Sequence, residues 1–198
     1  MVTFVIGAGE EATKFLVHKE AACKHSPVFA AAFNSNFVEG QTHTYKLEDT
    51  TVEVFRLLVQ WLYVERFNLP TLTPGTAEFK DDDGFMCLVE LWVLADRLGI
   101  PDALHEEILA AFFELMERMQ VIPTRCLHYV WENTAADDEL RELFLDLVSQ
   151  AMSPDGFEEC PIHFPQQMLL DLARYQAGKG RKRNWWRERY PKRPVSAG

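Results

Sequence analysis

The chain opens on an apolar run, Val2 to Ile6, that suits a short strand. A second strand is read from Phe15 and Val17, which alternate with Lys14 and His18. Between the two lies Gly7-Ala8-Gly9-Glu10-Glu11-Ala12, which fits the G-x-G-x-x-A form of a dinucleotide-binding loop. That loop needs a helix directly behind it, with the helix N-terminus facing a pyrophosphate. Strand-like alternation follows instead, and Glu10 and Glu11 would repel a phosphate. The pattern therefore predicts a β-hairpin, with Gly7 and Gly9 supplying turn conformations closed to other residues, and no bound cofactor.

Helical spacing takes over from there. A short turn is expected over Glu20–His25. Ser26-Pro27 then supplies an N-cap and a first-turn proline for a small apolar helix over Val28–Phe33. His43–Leu47 reads as a strand. Thr50-Thr51-Val52-Glu53 has capping-box spacing, and the helix behind it places Val54, Phe55, Leu58, Trp61 and Leu62 on one face. Arg66–Leu69 reads as a strand ended by Pro70. Residues 70–84 form a loop by composition, and Asp81, Asp82 and Asp83 lack the alternating spacing of a calcium site. A long helix over Phe85–Leu98 buries Leu88, Leu91, Trp92 and Ala95. Gly99 ends it, and Pro101 opens a helix whose core face is Leu104, Ile108, Phe112, Leu115 and Met119. Further helices are expected over 123–133, 137–152 and 165–177, with a proline-containing loop from Ser153 to Phe164. A small sheet flanked by a helical majority is an α+β arrangement.

Composition narrows the class. At 198 residues and 47% hydrophobic, the chain has enough apolar mass for a sizeable core. No apolar run approaches a membrane span, and no secretory leader pattern is present, so an intracellular protein, cytoplasmic or nuclear, is expected. Cys23, Cys87, Cys126 and Cys160 are spread widely without C-x-x-C pairing, which suits reduced thiols. The C-x-H pair Cys126/His128 and the later Cys160/His163 match no zinc-finger spacing, and no metal is expected.

Charge divides the chain. Residues 179–198 carry +7 and the other 178 carry −17. The acidic body should repel nucleic acid. The basic tail contains Lys179, Arg181, Lys182, Arg183 and Arg187, interleaved with Trp185 and Trp186. Three readings suit it: an arm that folds back on the acidic body, a nuclear-import signal, or a nucleic-acid contact in which aromatic rings stack on bases.

Three blocks carry a family resemblance. FLVHKEAACKHSPVFAAAF resembles the opening of a BTB/POZ domain, LEDTTVEVFRLLVQWLYVERF its next block, and LVELWVLADRLGIPDALHEEI its helical hairpin. They stand in family order over residues 4–120, and their wording is most similar to fungal single-BTB proteins. The resemblance implies a BTB/POZ fold over 1–120; by position the helices over 121–178 are expected as an extension of it, and the charge division sets off the basic tail over 179–198. It implies a non-enzymatic protein–protein interaction module, an adaptor or scaffold that binds protein partners, with homodimerisation or cullin-3 recruitment to a ubiquitin ligase among the family's uses. Self-association is expected near the Val28–Phe33 helix, at Val28, Phe29 and Phe33, and near the first hairpin, and a cullin-3 contact at part of Leu62–Phe67. No counterpart is seen of the N-terminal helix and strand that many animal BTB dimers use. The alternative function is a nucleic-acid-associated transcriptional regulator whose tail makes the contact.

Overall fold

The computed structural model describes residues 1–67 and 83–178. These form two compact units, Met1–Ala111 and Phe112 onward, and the division falls within a helix, before the boundary expected at residue 120.

The first unit is built on a three-stranded sheet. Strand β1 (Val2–Ile6) pairs antiparallel with β2 (Thr13–Val17), in the register Val2 to Val17 through Ile6 to Thr13. The glycine motif is the connection between them. Gly7 and Gly9 have φ of 83° and 70°, in the left-handed region that favours glycine, and a single 3-10 turn covers Gly9–Glu11. The hairpin expected from the alternation is what forms. Strand β3 (Thr44–Leu47) then joins the other side of β1 in parallel, giving the order β2-β1-β3. A parallel neighbour needs a crossover. Helices α1 (Lys19–His25), α2 (Pro27–Phe33) and α3 (Val38–Thr42) provide it.

Alternation along β1 turns Val2, Phe4 and Ile6 inward, and all are buried. Phe4 is the hub. Its ring lies 4.9 Å from Phe29, 5.6 Å from Phe33, 5.0 Å from Phe55 and 6.2 Å from Tyr45. Thus α2, β3 and helix α4 (Val52–Val64) meet on one residue of the central strand.

Ser26 caps α2 as its Ser-Pro pattern predicts: its Oγ accepts from Phe29 N at 3.1 Å. The same hydroxyl donates to the Leu98 carbonyl at 2.7 Å, 72 positions away. Leu98 follows helix α5 (Asp83–Arg97). Gly99 has φ of 61°, and its amide and that of Ile100 close the helix end onto Asp96 and Ala95. A Cβ on Gly99 would stand 3.0 Å from Pro27 Cγ. The Ser-Pro and Leu-Gly punctuation marks are therefore one packing contact.

Two sequence expectations shift here. The α4 cap is Thr51, whose Oγ1 accepts from Val54 N at 3.3 Å. Thr50, one residue earlier, is buried and accepts from Arg97 Nη2 at 3.2 Å. Arg97 also pairs with Asp49, which holds that carboxyl below its ordinary range. The strand expected at Arg66–Leu69 does not begin within the described residues. Glu65 closes α4 at φ 54°, Arg66 lies in a bend, and the Phe67 amide donates to Glu107 at 3.2 Å. Residues 68 and 69 lie outside the described residues.

Helix α6 (Asp102–Met119) leads from the first unit into the second. In the second unit, α7 (Leu127–Asn133), α8 (Glu139–Ala151) and α10 (Gln166–Ala177) pack together. Their shared core includes Val130, Leu143, Phe144, Met168 and Leu172. The stretch expected as a loop from Ser153 to Phe164 contains a short helix, α9 (Pro154–Glu159). Ser153 caps it at Gly156 N, and Pro154 takes the first turn. That is the Ser-Pro signal already seen at α2.

Candidate interaction surface

Packing sorts the residues expected at a self-association surface. Phe29 and Phe33 are 0% and 2% exposed, with their rings against Phe4, so they are core residues of the first unit. This corrects their placement at a surface. The hydrophobic demand of the sheet's inner face claims both rings. Val28, on the same helix, is half-buried. Trp61, Trp92 and Phe112 are buried, as their helical spacing indicates.

Among the exposed apolar residues, two stand side by side just beyond α2. Phe37 is 77% exposed and Val38 69%. The backbone beneath them is tightly held. Ser35 Oγ donates to the Ala32 carbonyl at 2.8 Å and accepts from the Phe37 amide at 3.2 Å. Gln41 Nε2 donates to the Asn36 carbonyl, and Thr42 Oγ1 to that of Val38. Gly40 is obligatory, because a Cβ there would sit 1.9 Å from the Ser35 carbonyl oxygen. A rigid support thus presents two large apolar side chains to solvent, the combination expected of a contact surface.

The stretch Leu62–Phe67 makes a second feature. Leu62 is buried, while Tyr63, Val64, Glu65 and Arg66 are exposed. The Tyr63 hydroxyl accepts from the His18 amide at 2.9 Å and bonds His18 Nδ1 at 2.9 Å. Glu65 pairs with Lys24 at 3.1 Å and approaches His25 Nε2 at 3.6 Å. The end of α4 is therefore tied to both ends of α1. His18 acts as a hydrogen-bonded structural residue.

His25 is buried edge-on against Trp61, with ring centroids 4.9 Å apart. Burial pushes its pKa below the ordinary 6.5, Lys24 lowers it further, and Glu65 opposes both. The unfolded chain therefore takes up this proton at a higher pH than the folded one. The resulting stability is full above about pH 6.5 and is lost as pH falls toward the folded value. Urea denaturation at pH 7.5 and pH 5.5 checks this: His25→Gln should show a shallower loss of stability on acidification than the unaltered protein.

The later cysteine–histidine pairs meet in the second unit. His128 Nε2 bonds the Ile162 carbonyl at 2.8 Å, and His163 Nδ1 bonds Thr124 Oγ1 at 2.9 Å. Both imidazoles serve to join the Thr124–Cys126 turn and α7 to the Pro161–His163 turn. No group of three His, Cys, Asp or Glu residues arranged to hold a metal occurs among the described residues. No described helix is long and apolar enough to cross a membrane. Lys179, Arg181, Lys182, Arg183, Trp185, Trp186 and Arg187 lie outside the described residues.

The model of the BTB/POZ domain family matches residues 2–106, over half of the chain and nearly all of the first unit. The chain belongs to the BTB/POZ domain family. No individual curated protein matches it. The BTB/POZ domain is a protein–protein interaction module, and its α+β fold is the one described above. The match ends inside α6, so α7 to α10 lie beyond it. Family spelling made the Ser-Pro and Leu-Gly-Ile-Pro blocks legible in the sequence. The exposed pair Phe37–Val38 was missed, because an apolar residue in a polar stretch does not disclose which way it faces.

Proposed function

We propose that this BTB protein is a non-enzymatic adaptor or scaffold whose BTB unit binds other proteins. The observation that carries the reading is the exposed Phe37–Val38 pair on a hydrogen-bonded backbone. Fixing such residues before contact lowers the entropy lost on binding. Burying a phenylalanine side chain contributes about 1.5–3 kcal/mol, enough to make Phe37 an energetic centre of an interface.

The family resemblance points to a cullin-3 N-terminal domain as the partner to test first, with the exposed end of α4 as the second part of the contact. The purified proteins, mixed at tens of micromolar, should co-elute on size exclusion. Phe37→Asp should weaken the complex by about tenfold or more, since it removes the buried ring and introduces a charge that must lose its water. The variant should keep the parent melting temperature, because Phe37 contributes little to the core. Failure of the unaltered proteins to co-elute would dispose of the cullin form of the proposal. Light scattering across the micromolar range tests self-association separately.

A further inference from the structure

The sheet has a second face. Residues alternating with the buried set point away from the core: Thr3 and Val5 on β1, Lys14 and Leu16 on β2, Thr44 and Lys46 on β3. The registers place Val5 opposite Lys14 on one side and opposite Lys46 on the other. Lys14, Val5 and Lys46 thus form one row across the three strands. Thr3 stands between Leu16 and Thr44 in the next row.

Two properties set this face apart. It carries no acid, although the chain has a net charge of −10. Its two charged groups are both lysines, and neither has an ion pair or hydrogen bond among the described residues. Leu16, beside them, is 68% exposed. A sheet face bearing a large exposed leucine and flanked by unpaired charges of one sign favours a ligand of the opposite sign with an apolar side chain of its own. The chain's basic segment 179–198 has the wrong charge for this role.

We propose that the outward face of the sheet is a docking surface for an acidic segment of a partner protein. Its carboxylates pair with Lys14 and Lys46, and an apolar side chain between them packs on Val5 and Leu16. The spacing is compatible. With strands about 4.8 Å apart, the two lysine Cα atoms stand roughly 10 Å from each other. In an extended peptide, residues i, i+2 and i+4 share one side and span about 13 Å. The flexible lysine stems cover the difference. Glutamates at i and i+4 with leucine at i+2 therefore present acid, apolar group and acid to the row. This surface does not depend on Phe37 or on the cullin contact.

The test uses the full chain and a fluorescein-labelled peptide containing Glu-Ser-Leu-Ser-Glu, with fluorescence anisotropy as the readout. A second peptide has glutamine at both acidic positions. The acidic peptide should bind more tightly than the neutral one, and added salt should weaken it. Lys14→Glu with Lys46→Glu should weaken it by about tenfold or more, since two attractions become repulsions. Lys14→Gln with Lys46→Gln should give a smaller loss, and Phe37→Asp none. The proposal is overturned if the acidic peptide does not bind at millimolar concentration, if the neutral peptide binds equally well, or if the Glu variant binds as the parent does. It is also overturned if the parent is a dimer that the Glu variant splits, because the occupant would then be a second copy. A circular-dichroism melt of both lysine variants should match the parent, since neither side chain is part of the core.

Discussion

Replacing Phe4 by alanine should destabilise the BTB unit by about 3–5 kcal/mol, a large share of the stability of an ordinary domain. The ring is 0% exposed and touches aromatic rings from α2, β3 and α4 at once. Truncation removes the buried area and leaves a cavity among stiff aromatic neighbours. Phe29 and Phe33 also hold each other, with centroids 6.2 Å apart, so neither can collapse freely into the space. Phe4→Leu should cost less, because most of the volume remains. Urea denaturation followed by circular dichroism measures both. A Phe4→Ala loss below about 1 kcal/mol would mean that the sheet is not anchored through this residue.

The second large effect belongs to Arg141 in the other unit. This residue is only 9% exposed. Its guanidinium donates to the Trp131 carbonyl at 2.7 Å, the Thr134 carbonyl at 2.6 Å and Thr134 Oγ1 at 2.9 Å. It also lies over the Trp131 ring, 5.3 Å from its centroid. One side chain of α8 thus satisfies the carbonyls at the end of α7, where a helix has no partners of its own. Arg141→Met keeps much of the volume and removes every donor. It should cost about 2–4 kcal/mol, because two carbonyls lose a charged donor in a largely dry site. Arg141→Lys should recover only part of this, since an ammonium cannot reproduce the planar fork. Thermal melts followed by tryptophan fluorescence report on it, with Trp131 as the local probe. Arg56→Met, on an exposed position of α4, should change stability by no more than about 0.5 kcal/mol.

Local patterns determined much of this protein. Short-range sterics and side-chain capping chose the hairpin at Gly7 and Gly9, the α2 cap at Ser26, and the end of α5 at Gly99. These choices involve neighbouring residues only, so a sequence displays them. The inward faces of α4 and α5 were legible for the same reason: helical periodicity is a local property. Local rules also had limits within single elements. Two threonines suited the α4 cap, and Arg97, 47 positions away from Thr50, takes that residue's hydroxyl and leaves the cap to Thr51.

Only the tertiary structure decided which apolar residues face water. Val28, Phe29 and Phe33 read alike along the chain, yet β1 brings Phe4 against the two phenylalanines and removes them from solvent. Phe37 and Val38, a few residues on, are left exposed among the described residues. The outward row Lys14–Val5–Lys46 likewise exists only because β3 joins β1 in parallel, a pairing between segments about forty residues apart. Periodicity states that a residue has an inner or outer side. Which partners meet on that side depends on long-range pairing, whose entropic cost of closure is met by the packed core as a whole, and no local stretch of sequence records it.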